Sequence, residues 1–392
     1  MATENVVIVI IDGARYSETL GDTAHTYVPY MGNLTHQGAY VDQFYNDSLT
    51  YTSRAIPALW CGTWTEVRDT TYNGQNTRYA VKPTLFEYFR KQAAAPAENC
   101  IYVLKFINSL WLPSFNANYG PGYWPLFHSQ GSTDEDVLVE ALGVISTFHP
   151  RLLWIYLADV DGAGHSGNWQ AYTRAIQIAD SIVGVIWSTI QSDSYYMNNT
   201  TMFVTNDHGR HDDAHGGFQG HGDGCDGCRH IMFLTVGPRV KQDFVSSQYR
   251  RTPDLAVTAS AILGVNPEYA TGEYISEIFE PLDVKSGEKS RPVKDITLFQ
   301  NYPNPFNPAT RIKYTIAAPA QSSSGRNIRR YQPVTLTIYD LQGRAVKRLV
   351  SEYQLPGSYS VDFDGSELFS GIYFYTLQVG NYRITKKMLI IH

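Results

Sequence analysis

Three short apolar runs, each followed within two residues by an aspartate, constrain the fold of this chain most strongly. They occupy residues 6–11, 152–157 and 201–205. Continuous apolar runs of this length are typical of strands that are buried on both faces, as in a parallel sheet covered by helices. Ligands bind at the carboxyl ends of strands in such sheets, so we expect the polar residues after these runs to line a cleft.

Two further apolar runs, at residues 101–105 and 231–236, alternate with helical patterns. The helical patterns lie near residues 83–93, 134–148, 168–191 and 253–263. This alternation predicts an α/β fold whose mainly parallel sheet has helices on both faces.

The segment behind the run at 201–205 is unusually rich in possible metal ligands. Residues 205–223 hold four of the 11 histidines of the chain, and Asp207 and His208 come almost directly after the strand. Imidazole together with carboxylate suits zinc, whereas a set of oxygen ligands alone would suit calcium or magnesium. A hydrated, histidine-rich loop without a metal is the simpler alternative, because such tracts are only compositional evidence.

The other two runs supply the same residue types. Asp12 directly follows the first run, while Asp161 and His165 follow the second and are four residues apart. We expect the glycines at 162 and 164 to let this loop fold both side chains around an ion. Asp159 is the rival carboxylate, although it lies outside this spacing and could simply end the strand.

The order of these residues resembles the alkaline phosphatase superfamily, most closely its nucleotide pyrophosphatase/phosphodiesterase branch. The resemblance covers about three quarters of the chain. It implies two zinc ions, or another divalent cation in one of the two sites. One ion would be bound by Asp161, His165 and His221, with His211 and His215 as alternatives to His221. The other would be bound by Asp12, Thr52, Asp207 and His208.

The same resemblance implies that Thr52 is the nucleophile. In that branch a threonine opens a helix and is followed ten residues later by glycine; Thr52 and Gly62 fit this spacing, whereas Thr50 and Ser53 do not. A metal can lower the pKa of the hydroxyl, and the free amides of the helix amino terminus favour anionic oxygens. We therefore expect a small phosphate-ester substrate and a phospho-threonine intermediate, with both cations assisting an in-line displacement.

Substrate class depends on the neighbours of Thr52. Sulfatases of the superfamily carry a cysteine or serine that matures to formylglycine, so a threonine argues against sulfate esters. Asn73 has the spacing at which diesterases hold a non-bridging oxygen, with Asn76 as the fallback, although Asn-Gly is also a strong turn signal. Arg54 departs from the diesterase pattern, and its guanidinium would suit a dianionic monoester. A phosphodiesterase is thus the first prediction, and a phosphomonoesterase is the alternative.

A second domain follows a charged, turn-prone stretch. We predict a phosphoesterase domain at residues 1–281, a linker at 282–295 and an all-β, immunoglobulin-like sandwich at 296–392. Asn-Pro-Phe-Asn-Pro at 304–308, with the motifs at 338–344 and 370–373, resembles a type A carboxy-terminal sorting domain of the type IX secretion system. Its strands are expected at residues 310–316, 334–339, 359–363, 371–378 and 382–391.

The sorting resemblance implies that the type IX machinery is a partner. It also implies export through the periplasm to the surface or surroundings of a Gram-negative, Bacteroidota-like bacterium. We expect the signal peptide to have been removed, and no apolar run is long enough to span a membrane. Of the net charge of −6, residues 1–294 carry −11 and the tail carries +5, so we expect no nucleic acid duplex as a ligand of the first domain. A secreted adhesive or binding protein with a structural metal site is the alternative from another functional class.

Four cysteines complete the sequence features. In an exported protein, Cys225 and Cys228 are expected to form a small disulfide that stiffens the loop carrying His221. Cys61 and Cys100 are expected to be buried free thiols.

Overall fold

The computed structural model describes residues 5–105, 111–280, 296–317, 332–354, 356–380 and 382–391. The chain divides into two compact units, Met1–Pro281 and Leu282–His392. The linker expected at 282–295 lies outside the described residues.

The first unit combines strands and helices in alternation. Its strands are β1 (Asn5–Ile11), β2 (Ala39–Val41), β3 (Phe44–Tyr45), β4 (Val67–Tyr72), β5 (Gln75–Ala80), β6 (Cys100–Leu104), β7 (Trp111–Leu112), β8 (Leu126–Ser129), β9 (Leu152–Leu157), β10 (Thr200–Thr205), β11 (Phe233–Val236), β12 (Phe244–Ser246) and β13 (Arg250–Arg251). Its helices are α1 (Pro29–Gln37), α2 (Thr52–Cys61), α3 (Leu85–Gln92), α4 (Asp134–Phe148), α5 (Asp159–His165), α6 (Trp169–Ser192), α7 (Asp226–Arg229) and α8 (Asp254–Leu263).

Eight of these strands form one sheet in the order β12-β2-β11-β10-β1-β9-β6-β8. The five strands from β10 to β8 run parallel, which confirms the mainly parallel sheet. Strand β11 differs, since it pairs antiparallel with both β10 and β2. A strand that runs parallel to the strand before it needs a crossover connection, usually a helix. The residues between β10 and β11 supply only a 3₁₀ turn, Asp213–His215, and the four-residue α7.

The central strands are apolar throughout because both of their faces are covered. Side chains from even-numbered positions of β1, such as Ile8, pack with residues of α2, α3 and α8. Side chains from odd-numbered positions, such as Val9, pack with residues of α1, α4 and α6. Helices therefore lie on both faces of the sheet, as the alternating pattern predicts.

Three adjacent parallel strands bring the predicted ligands to one edge of the sheet. Strand β1 lies between β10 and β9, with Ile10 opposite Thr205 and Ile11 opposite Leu157. The backbone N–H of Asp12 still donates to the Leu157 carbonyl at 2.9 Å. The side chains that follow β1, β9 and β10 consequently emerge at neighbouring points.

The second unit is all-β, as predicted. Its strands are β14 (Thr297–Leu298), β15 (Ala309–Ile316), β16 (Gln332–Tyr339), β17 (Ala345–Gln354), β18 (Gly357–Asp364), β19 (Gly371–Val379) and β20 (Tyr382–Ile390). They form two antiparallel sheets, β14-β15-β18 and β17-β16-β19-β20. Both sheets contribute to one apolar core that includes Ile312, Leu336 and Leu377.

Strand β17 is absent from the sequence prediction for a physical reason. It is an edge strand, and most of its first residues, including Lys347 and Arg348, are exposed. Charged side chains on edge strands discourage pairing with other chains, but they also remove the apolar alternation by which a strand is recognised.

The proline-rich motif of the second unit is part of its core. Phe306 is buried, and its backbone N–H donates to the Leu389 carbonyl at 3.1 Å. The Tyr375 hydroxyl accepts from the Asn301 N–H at 2.8 Å and donates to the Phe299 carbonyl at 2.9 Å. In the described part of the chain, no helix combines the length and apolar character needed to cross a membrane.

Because each unit has an apolar core of its own, we predict that a chain ending after Asp283 folds independently. Its thermal unfolding midpoint should match that of the corresponding transition in the full chain, and its metal content should be unchanged. Calorimetry and metal analysis of both chains measure this. A truncated chain that aggregates or loses metal would contradict the independence of the first unit.

Candidate metal centre

Asp12, Asp207 and His208 form a group that we term the buried triad. Asp12 follows β1, while Asp207 and His208 follow β10, and all three side chains are buried. One ligand atom from each lies within 4.8 Å of the others. The His208 Nε2 atom is 3.4 Å from Asp12 Oδ1 and 3.5 Å from Asp207 Oδ2.

The buried triad has the properties of a site for a divalent cation. Asp207 Oδ2 is buried without a hydrogen-bond partner, and His208 Nδ1 lies 2.8 Å from the Gly209 carbonyl, to which it donates. That hydrogen bond leaves the Nε2 lone pair facing the two carboxylates, as in metal-binding histidines. Burial, and to a lesser degree the charge of Asp161, raises the pKa of Asp207 to about 7. Burial and the charge of Asp207 also raise the pKa of Asp12 well above its ordinary value.

Asp161, His165 and His221 form a second group, the outer triad, whose ligand atoms also lie within 4.8 Å of one another. His165 Nε2 is 3.4 Å from Asp161 Oδ2 and 3.1 Å from His221 Nε2. His221 Nδ1 lies 2.9 Å from the Thr50 carbonyl, so its Nε2 atom faces the other two residues. Burial and the charge of His208 lower the pKa of His221 to about 4, which leaves the imidazole neutral and able to bind a metal.

The structure corrects one expectation about the outer triad. Asp161 and His165 were expected on a glycine-folded loop, but both lie on helix α5. Residues four apart are neighbours on one face of a helix, so the helix itself brings the two side chains together. Gly164 is required for packing, because an added Cβ would lie 2.4 Å from Arg210 Cζ.

The two triads adjoin. The rings of His208 and His221 are stacked, with centroids 4.0 Å apart and an interplanar angle of 16°. The charge of Asp161, in the outer triad, also contributes to the raised pKa of Asp12 in the buried triad. Two neighbouring ligand sets of this kind are the arrangement used by two-metal hydrolases.

Thr52 is the first residue of α2 and lies against the buried triad. Its Oγ1 atom is 3.0 Å from His208 Nε2, and 3.4 and 3.5 Å from the carboxylate oxygens of Asp12. The hydroxyl of Thr50 instead donates to the Asp223 carbonyl at 2.8 Å. Of these two threonines, Thr52 is therefore the one whose hydroxyl reaches a ligand set, while Thr50 holds the loop that carries His221.

Arg210 is a site residue that the sequence analysis missed. It is fully buried, it forms an ion pair with Asp161, and its Nη2 atom donates to the Gln219 carbonyl at 3.0 Å. Burial alone would raise the pKa of Asp161, but the charges of His208 and Arg210 hold it below its ordinary value. A basic residue two positions after the Asp-His pair was the available signal.

Tyr156 was also missed, because in the sequence it is indistinguishable from the other buried residues of the apolar run that forms β9. Its buried hydroxyl donates a hydrogen bond to Asp12 Oδ2. This contact fixes the orientation of the Asp12 carboxylate and leaves Oδ1 to face His208.

Three further candidates are not part of either triad. Asp159 forms an ion pair with Lys105 and accepts from the Asp134 N–H at 2.7 Å. Asn73 is exposed at the tip of the β4–β5 hairpin with a φ of 50°, the conformation expected for the Asn-Gly turn. Arg54 is half-buried on α2. Among the described hydrogen bonds, none joins the side chain of Asn73 or Arg54 to either triad.

All four cysteines are buried free thiols. The prediction is confirmed for Cys61 and Cys100. The disulfide expected between Cys225 and Cys228 is not formed, which corrects that prediction.

Comparison with known families agrees with this architecture. Residues 129–264 match the family model described as the metalloenzyme superfamily, and residues 300–391 match the secretion system C-terminal sorting domain. The chain therefore carries an alkaline-phosphatase-like metalloenzyme domain followed by a sorting domain. A search of curated protein sequences gives no match.

Solved structures share the fold at low sequence identity. A 2-O GAG sulfatase superposes with a TM-score of 0.54 at 13% sequence identity. The alignment covers 84% of this chain and 82% of the sulfatase chain. A Bacteroides thetaiotaomicron protein from the metabolism of multiple glycosaminoglycans has a TM-score of 0.54 at 12% identity, with coverages of 88% and 89%. Murine ectonucleotide pyrophosphatase/phosphodiesterase 5 has a TM-score of 0.51 at 13% identity, with coverages of 71% and 100%.

We predict that chelation destabilises the protein more at neutral pH than at acidic pH. The folded-state pKa of Asp207, about 7, lies above the ordinary value of 3.8. Its contribution to stability is therefore present below the ordinary value and is lost as the pH rises through about 7, unless a cation offsets the charge. Thermal unfolding midpoints of chelated and zinc-loaded protein across this range measure the effect.

Asp207→Asn is the matched control, because it removes the titrating carboxylate and keeps its shape. The chelated variant should lose less stability than the chelated parent as the pH rises. If chelated Asp207→Asn lost as much stability as the chelated parent between about pH 4 and pH 7, the electrostatic account of this carboxylate would be contradicted.

Proposed function

We propose that this protein is an exported di-zinc phosphoesterase that hydrolyses small phosphodiesters through a phospho-threonine at Thr52. The placement of Thr52 carries this proposal. Its hydroxyl begins a helix and lies 3.0 Å from His208 Nε2, beside two adjoining ligand sets. A purely structural metal site has no use for a hydroxyl nucleophile in that position.

The residues present fit the two cations that such a reaction needs. The buried triad, with Thr52, would hold one zinc ion, and the outer triad would hold the other. The unpartnered Oδ2 atom of Asp207 supports this assignment. When bound, the ions would lower the pKa of the nucleophile, neutralise the charge of the phosphate and activate water.

The protein's own groups orient the reaction. The Thr52 oxygen attacks phosphorus, the alcohol of the substrate leaves with a proton, and water then cleaves the bond between Thr52 and the phosphate. Tyr156 orients Asp12, and the Thr50 carbonyl orients His221. The free amides in the first turn of α2 favour anionic oxygens beside Thr52.

The identity of the nucleophile favours phosphate over sulfate. A cysteine or serine side chain can be oxidised to the aldehyde of formylglycine, because its reactive carbon carries two hydrogens. Thr52 has a methyl group on that carbon, so the same oxidation would give a ketone. The similarity to sulfatase structures, at 12–13% identity, concerns the fold alone.

The charges around the site favour a diester over a monoester. Arg210 is committed to Asp161 and to backbone carbonyls. Arg54 lies near Glu66, whose pKa is lowered first by a hydrogen bond from Arg68 and also by the charge of Arg54. A dianionic monoester would gain most from a guanidinium that is free to form charge-assisted hydrogen bonds, whereas a singly charged diester needs less compensation.

The second unit supports a role outside the cytoplasm. Its match to a secretion system C-terminal sorting domain supports recognition by the type IX machinery and delivery to the cell surface or medium. An enzyme in that location would act on phosphodiesters that the cell encounters outside.

We predict that Thr52→Ala lowers kcat for a phosphodiester by at least about a thousandfold, as expected for the loss of a covalent nucleophile. The two triads keep their six side chains, so zinc content should remain close to that of the parent. Steady-state kinetics and metal analysis of one preparation measure both quantities. Ser53→Ala is the matched control and should retain activity. If Ser53→Ala is inactive and Thr52→Ala is active, the nucleophile is wrongly assigned.

A panel of nitrophenyl esters tests the substrate class. We predict that kcat/KM for a phosphodiester exceeds that for the monoester by at least about tenfold, which corresponds to ~1.4 kcal/mol of barrier. The sulfate ester should be the poorest substrate, because Thr52 cannot become formylglycine. If the monoester is preferred, the protein is a phosphomonoesterase and the proposed diesterase activity is wrong. If the sulfate ester is preferred, the proposed phosphoesterase function is refuted.

A further inference from the structure

A further set of metal-binding side chains lies outside both triads, on the segment between β10 and β11. His211, Asp223 and Cys228 have ligand atoms within 4.8 Å of one another. Cys225 belongs to a neighbouring group of such residues, with Asp212 and His215, and its carbonyl accepts a hydrogen bond from the Cys228 N–H at 3.2 Å. Nothing in the proposed phosphoesterase reaction uses these residues.

Asp223 connects the segment that carries the two cysteines to His211. The Asp223 Oδ1 atom accepts a hydrogen bond from the Cys225 N–H at 3.0 Å. The other oxygen, Oδ2, lies 3.4 Å from His211 Nε2. That nitrogen is buried and has no hydrogen-bond partner.

We propose that Cys225, Cys228, His211 and Asp223 bind a third metal ion, a structural zinc separate from the two catalytic ions. Two thiolates, an imidazole and a carboxylate give four protein ligands, which is the closed set of a structural zinc site. A Cys-x-x-Cys pair is the usual spacing for two such ligands. This inference rests on the described side chains and does not depend on the proposed reaction.

His215 is the competing ligand, but it has another partner. Its Nδ1 atom is 2.6 Å from Asp212 Oδ1, and its side chain is 55% exposed. His211, in contrast, is only 22% exposed and presents its unpartnered nitrogen to Asp223. His211 and Asp223, rather than His215 and Asp212, are therefore the two ligands that accompany the cysteines in the proposed site.

A disulfide would give fewer of these side chains a partner than a metal ion would. It would join Cys225 to Cys228 within a single turn of chain and would leave the buried nitrogen of His211 without a partner. A metal ion bound by the proposed residues would give that nitrogen a partner, and it would tie together residues on both sides of His221.

The proposed ion would brace the segment that completes the catalytic centre. Between β10 and β11, the regular structure is limited to the turn at Asp213–His215 and to α7. The Gly209 N–H donates to the Cys228 carbonyl at 2.9 Å, which joins α7 to the Asp-His-Gly stretch of the buried triad. Gly227 packs so closely there that an added Cβ would lie 2.6 Å from the Arg210 carbonyl oxygen. Metal binding can stabilise a segment that has little regular secondary structure.

Cobalt substitution of the full-length protein provides the test. Co²⁺ bound by thiolates gives a charge-transfer band in the near ultraviolet, and the two triads contain no cysteine. We expect this band in the parent, its loss in Cys225→Ser/Cys228→Ser, and its retention in Cys61→Ala/Cys100→Ala. Zinc analysis should show one fewer ion per chain in the first double variant only. None of these readouts requires turnover, so failure of the phosphoesterase proposal would leave them unaffected.

The parent protein alone can overturn the proposal if the variants do not fold. Thiol titration after denaturation with a chelator should find all four cysteines reduced. A parent without the cobalt band, or with two thiols missing because Cys225 and Cys228 are oxidised, would refute the third site. Persistence of the band in Cys225→Ser/Cys228→Ser would refute it equally.

Discussion

The structure depends on how the charge of Asp12 and Asp207 is balanced. Both carboxylates are buried beside His208, and one oxygen of Asp207 has no partner. Burying unpaired charge is among the most costly arrangements in a protein, so this site is unfavourable without a cation. We infer that metal affinity and the placement of Thr52 follow from the same constraint, since the hydroxyl lies against these residues.

The fold meets this constraint by placing the ligands on three adjacent parallel strands. Asp12 follows β1, the Asp207–His208 pair follows β10, and α5 continues from β9. Helices cover both faces of these strands, so the elements that carry most of the ligands are packed on both sides. The exception is His221, which lies on a long irregular segment and needs further support. Thr50 supplies some of it through hydrogen bonds, and the proposed third metal would supply more.

Much of this was predictable because the apolar runs and the residues that end them obey strong local rules. The sheet, the helices and both triads follow from those runs and from the family resemblance. For Arg210 the sequence offered only its position after the Asp-His pair, because its contact with Asp161 joins residues that are remote in sequence. Strand β17 was not predicted, because its charged residues interrupt the apolar alternation of a strand. Helix α5 was predicted as a loop, because it contains two glycines. Asn73 lies at a hairpin tip, and its role toward the substrate stays a prediction.

The central claim is that two cations occupy adjoining sites at this edge of the sheet. Anomalous diffraction from zinc-loaded crystals, recorded on both sides of the zinc absorption edge, tests it most directly. The account predicts one strong peak among Asp12, Asp207 and His208 and a second among Asp161, His165 and His221, both disappearing below the edge. Zinc-loaded crystals with no peak at the buried triad, or with a single ion bound only by the outer triad, would contradict it.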